Sequence, residues 1–173
     1  MADKSGKTVL VVDDEADVRS FLKAALLEAG FEVVTASDGF EALEEVKKRI
    51  PDLISLDLVM PKKSGARFYR DLNRKKEWSR IPVIIVTGHA RDDLGKADLK
   101  ELTMSGPGIY LEKPVKPDNY VAAVKQILGM DTTAEEKELA DKVELQSNLK
   151  TAIDDADPEI LRKIQEMLGG EKG

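Results

Sequence analysis

A chain of 173 residues without a single cysteine has room for one ordinary domain plus an appendage, and its core needs no disulfide or thiolate-metal bracing. Thiol catalysis is excluded, a reducing cytoplasmic setting is expected, and neither a signal peptide nor the roughly 18 apolar residues of a bilayer span is present. The net charge of −6 is confined to the end of the chain: residues 1–130 carry 21 basic and 21 acidic side chains, whereas 131–173 carry 6 and 12, so nucleic-acid binding by the tail is not expected.

Residues 8–12 are a β-branched apolar run. The stretch 16–29 then places Val18, Phe21, Leu22, Ala25, Leu26 and Ala29 at amphipathic-helix spacing, and Gly30 ends it. A second strand is predicted over 31–36, a second helix over 40–49 stopped by Pro51, and a third strand over 52–56. There follow a third helix over 67–76 and a fourth strand over 81–86, with Pro82 near its start where a missing N–H matters least. A fourth helix over 93–104, a short fifth strand over 109–111 and a last helix over 117–128, opened by Pro117, complete the series. Such alternation predicts an α/β fold: five parallel strands in one sheet, helices on both faces, and right-handed crossovers.

In an open parallel sheet, ligands collect at the carboxyl ends of the strands. The first strand ends in Asp13-Asp14-Glu15, the third in Asp57 followed by Leu58-Val59-Met60-Pro61, the fourth in Thr87-Gly88, and the fifth in Glu112-Lys113-Pro114. Each has a plainer role when taken alone. Asp57 suits a turn, Asp13 and Asp14 suit a helix cap, Thr87 suits a strand, and Lys113 suits a solvated loop. Together they place three carboxylates, a hydroxyl and an amine at one edge. Carboxylates so close raise one another's pKa unless a cation lies among them, and Mg²⁺, which bridges one or two carboxylates to a phosphate, is the natural choice.

The motifs Val11-Val12-Asp13-Asp14, Leu56-Asp57 with Met60-Pro61 and Gly65, Thr87-Gly88, and Tyr110-Leu111-Glu112-Lys113-Pro114 resemble the receiver domain of bacterial two-component response regulators, the CheY-like family. The resemblance covers roughly residues 7–129 and implies a doubly wound, flavodoxin-like sheet. It implies that Asp57 accepts a phosphoryl group from the phosphohistidine of a sensor histidine kinase. Asp14 and Asp57 would ligate Mg²⁺ with the backbone carbonyl of Val59, and Asp13 would hold the ion mainly through water. Lys113 and Thr87 would meet the phosphoryl oxygens. Thr87 and Tyr110 would form the switch, biasing a surface made by the fourth helix, the fifth strand and the last helix.

Two features depart from the family's pattern. Thr87 and Lys113 are 26 positions apart, and Ser105-Gly106-Pro107-Gly108 leads into the fifth strand, so the fourth helix or its entry loop is enlarged. The single histidine, His89, follows Thr87 by two positions; it is read as an exposed loop residue, with tuning of the acyl phosphate's lifetime as the alternative.

Residues 1–130 are thus read as the receiver and 131–173 as an acidic helical extension. In the extension Thr133 and Glu136 form a capping-box pattern for a helix running to about residue 152, with Leu139, Val143, Leu149 and Ile153 along one uneven stripe. Asp157-Pro158 starts a second helix bearing Ile160, Leu161, Ile164, Met167 and Leu168. Its apolar face needs a cover, either the receiver's signalling face or a second copy, and a homodimer is the favoured expectation. The downstream partner is unknown, and no DNA-binding, enzymatic or membrane output is expected. Two other classes fit the residues less well. An aspartyl-phosphate hydrolase of the haloacid dehalogenase type wants an acid where Val59 stands, and a phosphorylation-independent scaffold would have no use for the intact acidic set.

Overall fold

A computed structural model describes residues 6–58, 60, 62–88 and 109–155, with the backbone alone at Thr87, Ile109 and 146–155. The elements are β1 Thr8–Val12, α1 Ala16–Glu28, β2 Glu32–Ala36, α2 Gly39–Lys48, β3 Leu53–Leu56, α3 Gly65–Arg74, β4 Val83–Thr87, β5 Ile109–Glu112, α4 Pro117–Ile127 and α5 Ala134–Asp155. The predicted helix over 93–104 and the second tail helix, with its five apolar residues, lie outside the described residues.

All five strands are parallel, in the order β2-β1-β3-β4-β5. The register pairs Val12 with both Ala36 and Leu56, and Leu56 with Ile85, so β1, β2 and β3 end level, while β4 and β5 run two residues further to the Thr87–Glu112 pair. Alternate side chains go to opposite faces. Leu10, Val12, Ile54, Leu56, Ile85 and Tyr110 pack with residues of α2 and α3 on one face. Val9, Val11, Leu53, Ile84, Val86 and Leu111 pack with Leu22 and Leu26 of α1 and with Tyr120 and Val124 of α4 on the other. Burial on both sides is why these strands read as continuous apolar runs rather than alternating ones.

Local chemistry sets the boundaries. Gly30, at φ 93°, follows the α1 C-cap Ala29 in the left-handed region that glycine adopts freely. Helix α3 begins two residues before the predicted start because the Ser64 side chain caps it, accepting from the Arg67 N–H at 3.3 Å. Asp38 does the same for α2, accepting from the Glu41 N–H at 2.9 Å.

The first tail helix docks inside the chain. Its start is a reciprocal capping box: the Glu136 N–H donates to Thr133 Oγ1 at 3.1 Å and the Thr133 N–H donates to Glu136 Oε2 at 3.1 Å. Helix α5 then lies on α4 and β5. Ala140 and Val143 are buried in that contact, Lys125 Nζ pairs with Glu136 Oε1 at 2.8 Å, and Gln126 donates to Glu144 at 2.9 Å. The stripe read from sequence contained Val143 but passed over Ala140, whose small side chain lets the two helices approach.

Candidate functional site

Asp13 and Asp57 each stand one residue beyond a buried strand, and the neighbouring strands hold their main chains. The Asp13 N–H donates to the Ala36 carbonyl at 3.1 Å and the Asp57 N–H to the Val12 carbonyl at 3.0 Å. Both side chains are only 1% exposed, whereas Asp14 faces solvent. Ligand atoms of Asp13, Asp14 and Asp57 all lie within 4.8 Å of one another. Lys113, following β5, sends its ammonium among them: Nζ is 2.7 Å from Asp13 Oδ2, 3.4 Å from Asp57 Oδ2 and 3.4 Å from Glu15 Oε1.

Among the described residues acids outnumber cations in this pocket: three acids contact one ammonium and a fourth, Asp14, stands beside them, against Lys113 and the guanidinium of Arg19. Burial pushes the Asp13 carboxyl above its usual range, against the pull of Lys113 and the Glu15 N–H, and the charge of Asp14 pushes the same way. Burial alone would lower Lys113, but Asp13, Asp57 and Glu15 outweigh it and raise its pKa, so the ammonium keeps its proton. A site with surplus negative charge and hard oxygen donors suits a divalent cation such as Mg²⁺.

The loop after β3 is held by close backbone approach. A Cβ on Gly65 would overlap the Asp57 carbonyl oxygen, and the Gly65 N–H donates to the Leu58 carbonyl at 2.9 Å, so only glycine lets α3 start this close to the end of β3. Across the loop, the Gly39 N–H donates to the Lys63 carbonyl at 3.1 Å, Lys62 pairs with Asp38 at 3.7 Å, and Lys63 pairs with Asp71.

Asp13, Asp14, Asp57 and Lys113 are therefore brought together as the sequence suggested. Thr87 closes β4 beside Glu112, but its side chain, Val59 and His89 lie outside the described residues. Tyr110 is buried against the sheet face that also holds Ile85 and Trp78. Two participants escaped the sequence reading: Glu15, as a third acid on Lys113, and Arg19, whose guanidinium donates to the Asp13 carbonyl at 2.7 Å. The four-residue spacing of Glu15 and Arg19 at the start of α1 was the available signal. Beside Lys113 opens a groove of about 610 Å³ whose lining includes Val18, Phe21, Pro114 and Val115.

Residues 9–125 match the response regulator receiver domain family. The chain is 37% identical over 123 residues to the phosphate regulon transcriptional regulatory protein PhoB of Pseudomonas aeruginosa, covering 71% of this chain and 52% of that one. It is 38% identical over 123 residues to the alkaline phosphatase synthesis transcriptional regulatory protein PhoP of Bacillus subtilis, covering 70% and 48%. The chain thus spans about half the length of these curated relatives. Among solved structures, the chemotaxis response regulator CheY4 of Vibrio cholerae superposes with a TM-score of 0.60 at 28% identity, over 71% of this chain and 99% of that one. With its five-stranded parallel sheet and the acidic cluster at the strand ends, the chain belongs to the response regulator receiver domain family.

Proposed function

We propose that Asp57 accepts a phosphoryl group from the phosphohistidine of a sensor histidine kinase, in a reaction that requires Mg²⁺, and that the chain signals onward through protein contacts. One observation carries this reading: buried Asp57 lies 3.4 Å from the Lys113 ammonium, and its ligand atoms lie within 4.8 Å of those of Asp13 and Asp14. A carboxylate oxygen of Asp57 attacks phosphorus while the phosphorus–nitrogen bond of the donor breaks and its electron pair returns to the imidazole. Such transfer depends chiefly on positioning and charge neutralisation. Mg²⁺, held by Asp14, Asp57 and the Val59 carbonyl with Asp13 acting mainly through water, would supply positive charge between the carboxylates and the phosphoryl oxygens. Lys113 supplies a second positive charge, for which its protonated state is the requirement. Thr87, at the end of β4, offers its hydroxyl to the same oxygens, and Tyr110 on β5 responds to it as the switch.

The donor needs a way in, and the apolar groove between α1 and the loop after β5 opens beside Lys113. On this reading the chain acts on no substrate beyond its own Asp57, and its setting is cytoplasmic; no helix among the described residues is long and apolar enough to cross a membrane. The receiver ends near residue 130. Pairing two chains through the Ala140–Val143 face of α5 would break the contacts those residues make, so a homodimer would use the outer side of α5 or the helix expected from Asp157. The test is incubation with acetyl phosphate, or with a phosphorylated kinase, and Mg²⁺. One label at Asp57 is expected, and stoichiometric labelling that survives Asp57→Asn and maps elsewhere overturns the assignment.

A further inference from the structure

The chain as a whole is acidic, yet residues 62–80 carry eight basic side chains against two acids. Part of that charge is neutralised locally, since Lys62 pairs with Asp38 at 3.7 Å and Lys63 with Asp71. Arg67, Arg70 and Arg74 stand on the outside of α3, and Lys75, Lys76 and Arg80 follow in the turn that leads to β4; all six are exposed. The three arginines are three and four residues apart, so they share one stripe of the helix, opposite the buried Phe68, Tyr69 and Leu72. Asp71 is the one acid within α3, and it meets Lys63 as well as Arg74 at 3.5 Å. The aromatic side chains of this stretch, Phe68, Tyr69 and Trp78, are all buried. The face therefore offers positive charge without a ring on which a nucleic-acid base could stack and without an apolar wedge for a membrane. It suits the carboxylates of a protein surface.

The matching charge lies in the extension, where residues 131–159 carry ten acids against three lysines. Along the described side chains of α5, half-buried Leu139 and buried Ala140 and Val143 form the seam with the receiver. Glu136 and Glu144 are taken up at its edges, by Lys125 at 2.8 Å and Gln126 at 2.9 Å. Glu135, Glu138 and Asp141 stay exposed, spaced by three along the other side. There Lys142 approaches Glu138 at 3.8 Å, and Leu145 lies 68% exposed. Phe68, Tyr69 and Leu72 of α3 belong to the core on one face of the sheet, and Val143 of α5 belongs to the core on the other. The outer sides of α3 and of this part of α5 therefore look away from each other, and a contact between them joins two molecules.

We propose that the arginine stripe of α3 is a docking face for a second copy of this chain, which presents the acidic outer side of its α5. The inference does not depend on phosphoryl acceptance at Asp57; it names the surface that the outer side of α5 meets. Each copy carries one basic and one acidic half, so the contact joins unlike faces and association runs head to tail. The planar guanidinium fork matches a carboxylate in two places at once, which gives the pairing a defined geometry. Exposed pairs of this kind are each worth at most about fivefold in affinity. The assembly is accordingly weak, grows with concentration and is dissolved by salt.

Light scattering on the full chain over a concentration series tests this. At an ionic strength of about 0.1 M, a screening length of about 10 Å damps the repulsion between two whole chains but spares charges in contact, and the mean mass is expected to rise above that of the monomer. At about 1 M, where the screening length falls to about 3 Å, the monomer should return. Arg67→Glu with Arg74→Glu, and separately Glu138→Lys with Asp141→Lys, should each weaken self-association at least about tenfold, since each loses two exposed pairs and gains repulsion. Mixing the two variants should restore it, because each then meets in the other the opposite charge that its own second face lacks. If the arginine reversal unfolds α3, Arg67→Gln with Arg74→Gln, which removes charge without reversing it, should weaken association less steeply and gives a second reading. A parent that stays monomeric at the lower ionic strength overturns the proposal, as does a mixture that stays monomeric although both variants melt like the parent. A monomeric parent that retains a short single-stranded DNA oligonucleotide, and loses it in Arg67→Glu with Arg74→Glu, would overturn it in favour of a nucleic acid on the same face. Labelling at Asp57 is read separately, so its failure leaves these outcomes distinct.

Discussion

Lys113 Nζ lies 2.7 Å from Asp13 Oδ2, closer than its 3.4 Å approach to Asp57 Oδ2. The ammonium is thus held first by an acid that is not the proposed phosphoryl acceptor, and among the described residues it is the ammonium in contact with Asp13, Asp57 and Glu15. Lys113→Met removes that ammonium and leaves the buried Asp13 carboxylate without its ion-pair partner, at a cost on the order of 1–3 kcal/mol of metal-free stability. The same change removes a competitor for the acids, so Mg²⁺ should bind the variant more tightly while labelling at Asp57 slows. Thermal unfolding with and without Mg²⁺, together with calorimetric titration of the ion, reads both. Weaker Mg²⁺ binding by the variant would show that the lysine and the ion do not compete.

The acids divide by role. Asp57→Asn should take no label, because an amide is not a comparable nucleophile. Asp14→Ala should still fold but bind Mg²⁺ less tightly, since it deletes a charged ligand without opening the core. Asp13→Asn tests the electrostatics, because burial raises the Asp13 pKa. A raised value means that folding disfavours the ionised form. Its contribution to stability is therefore present at low pH and lost as pH rises through the folded value. At neutral pH the neutral amide should accordingly melt above the parent in metal-free buffer, and the difference should shrink when Mg²⁺ is added to the parent. A lower melting temperature for Asp13→Asn would mean that its pairing with Lys113 outweighs the cost of burial.

The sheet and its carboxyl edge were legible because both arise from local rules. Strands buried on two faces read as unbroken apolar runs, such as Val9 to Val12 and Val83 to Val86, and a parallel sheet must deliver their last residues to one edge. What sequence could not give was distance. Glu15 looked like one more acid in a row, and its contact with Lys113 crosses 98 positions. Gly65 was visible only as part of a motif; its reason, the Asp57 carbonyl in the way of any Cβ, is a tertiary fact. The tail shows the same boundary. Its capping box was readable because its two partners are three positions apart, whereas the docking of Ala140 against the receiver depends on a surface assembled from β5 and α4.

Gly65→Ala isolates that close approach. Its methyl group would meet the Asp57 main chain rather than a yielding side-chain tip, so either α3 or the strand end must shift. A cost of about 3 kcal/mol is expected, at the upper end for overpacking, along with slower labelling, because the displaced backbone is that of the acceptor. Denaturant unfolding and acetyl phosphate labelling measure the two effects. A variant with parental stability and rate would show that the loop absorbs the methyl group.

The tail should also part from the receiver at acid pH before the receiver itself unfolds. The side-chain hydrogen bond from Lys125 holds the Glu136 carboxyl below its ordinary value; burial opposes this, while the Thr133 N–H adds to it. A lowered value means that folding favours the ionised form. The contribution is therefore present above the unfolded value and is lost as pH falls through the folded one, that is, below about pH 4.3. Asp13 runs the other way, since its buried charge is relieved by protonation over the acid range. Acidification thus weakens the α5 seam while easing one strain in the site. Hydrogen exchange at stepped pH, corrected for the intrinsic rate, should show Ala134–Asp155 losing protection while the β1 and β3 amides keep theirs. Glu136→Gln should begin with weaker tail protection and a flatter dependence on pH, because it has no charge to lose. If the tail and the strands lose protection together, or if Glu136→Gln follows the parent curve, the Lys125–Glu136 pair is not what holds the helix in place.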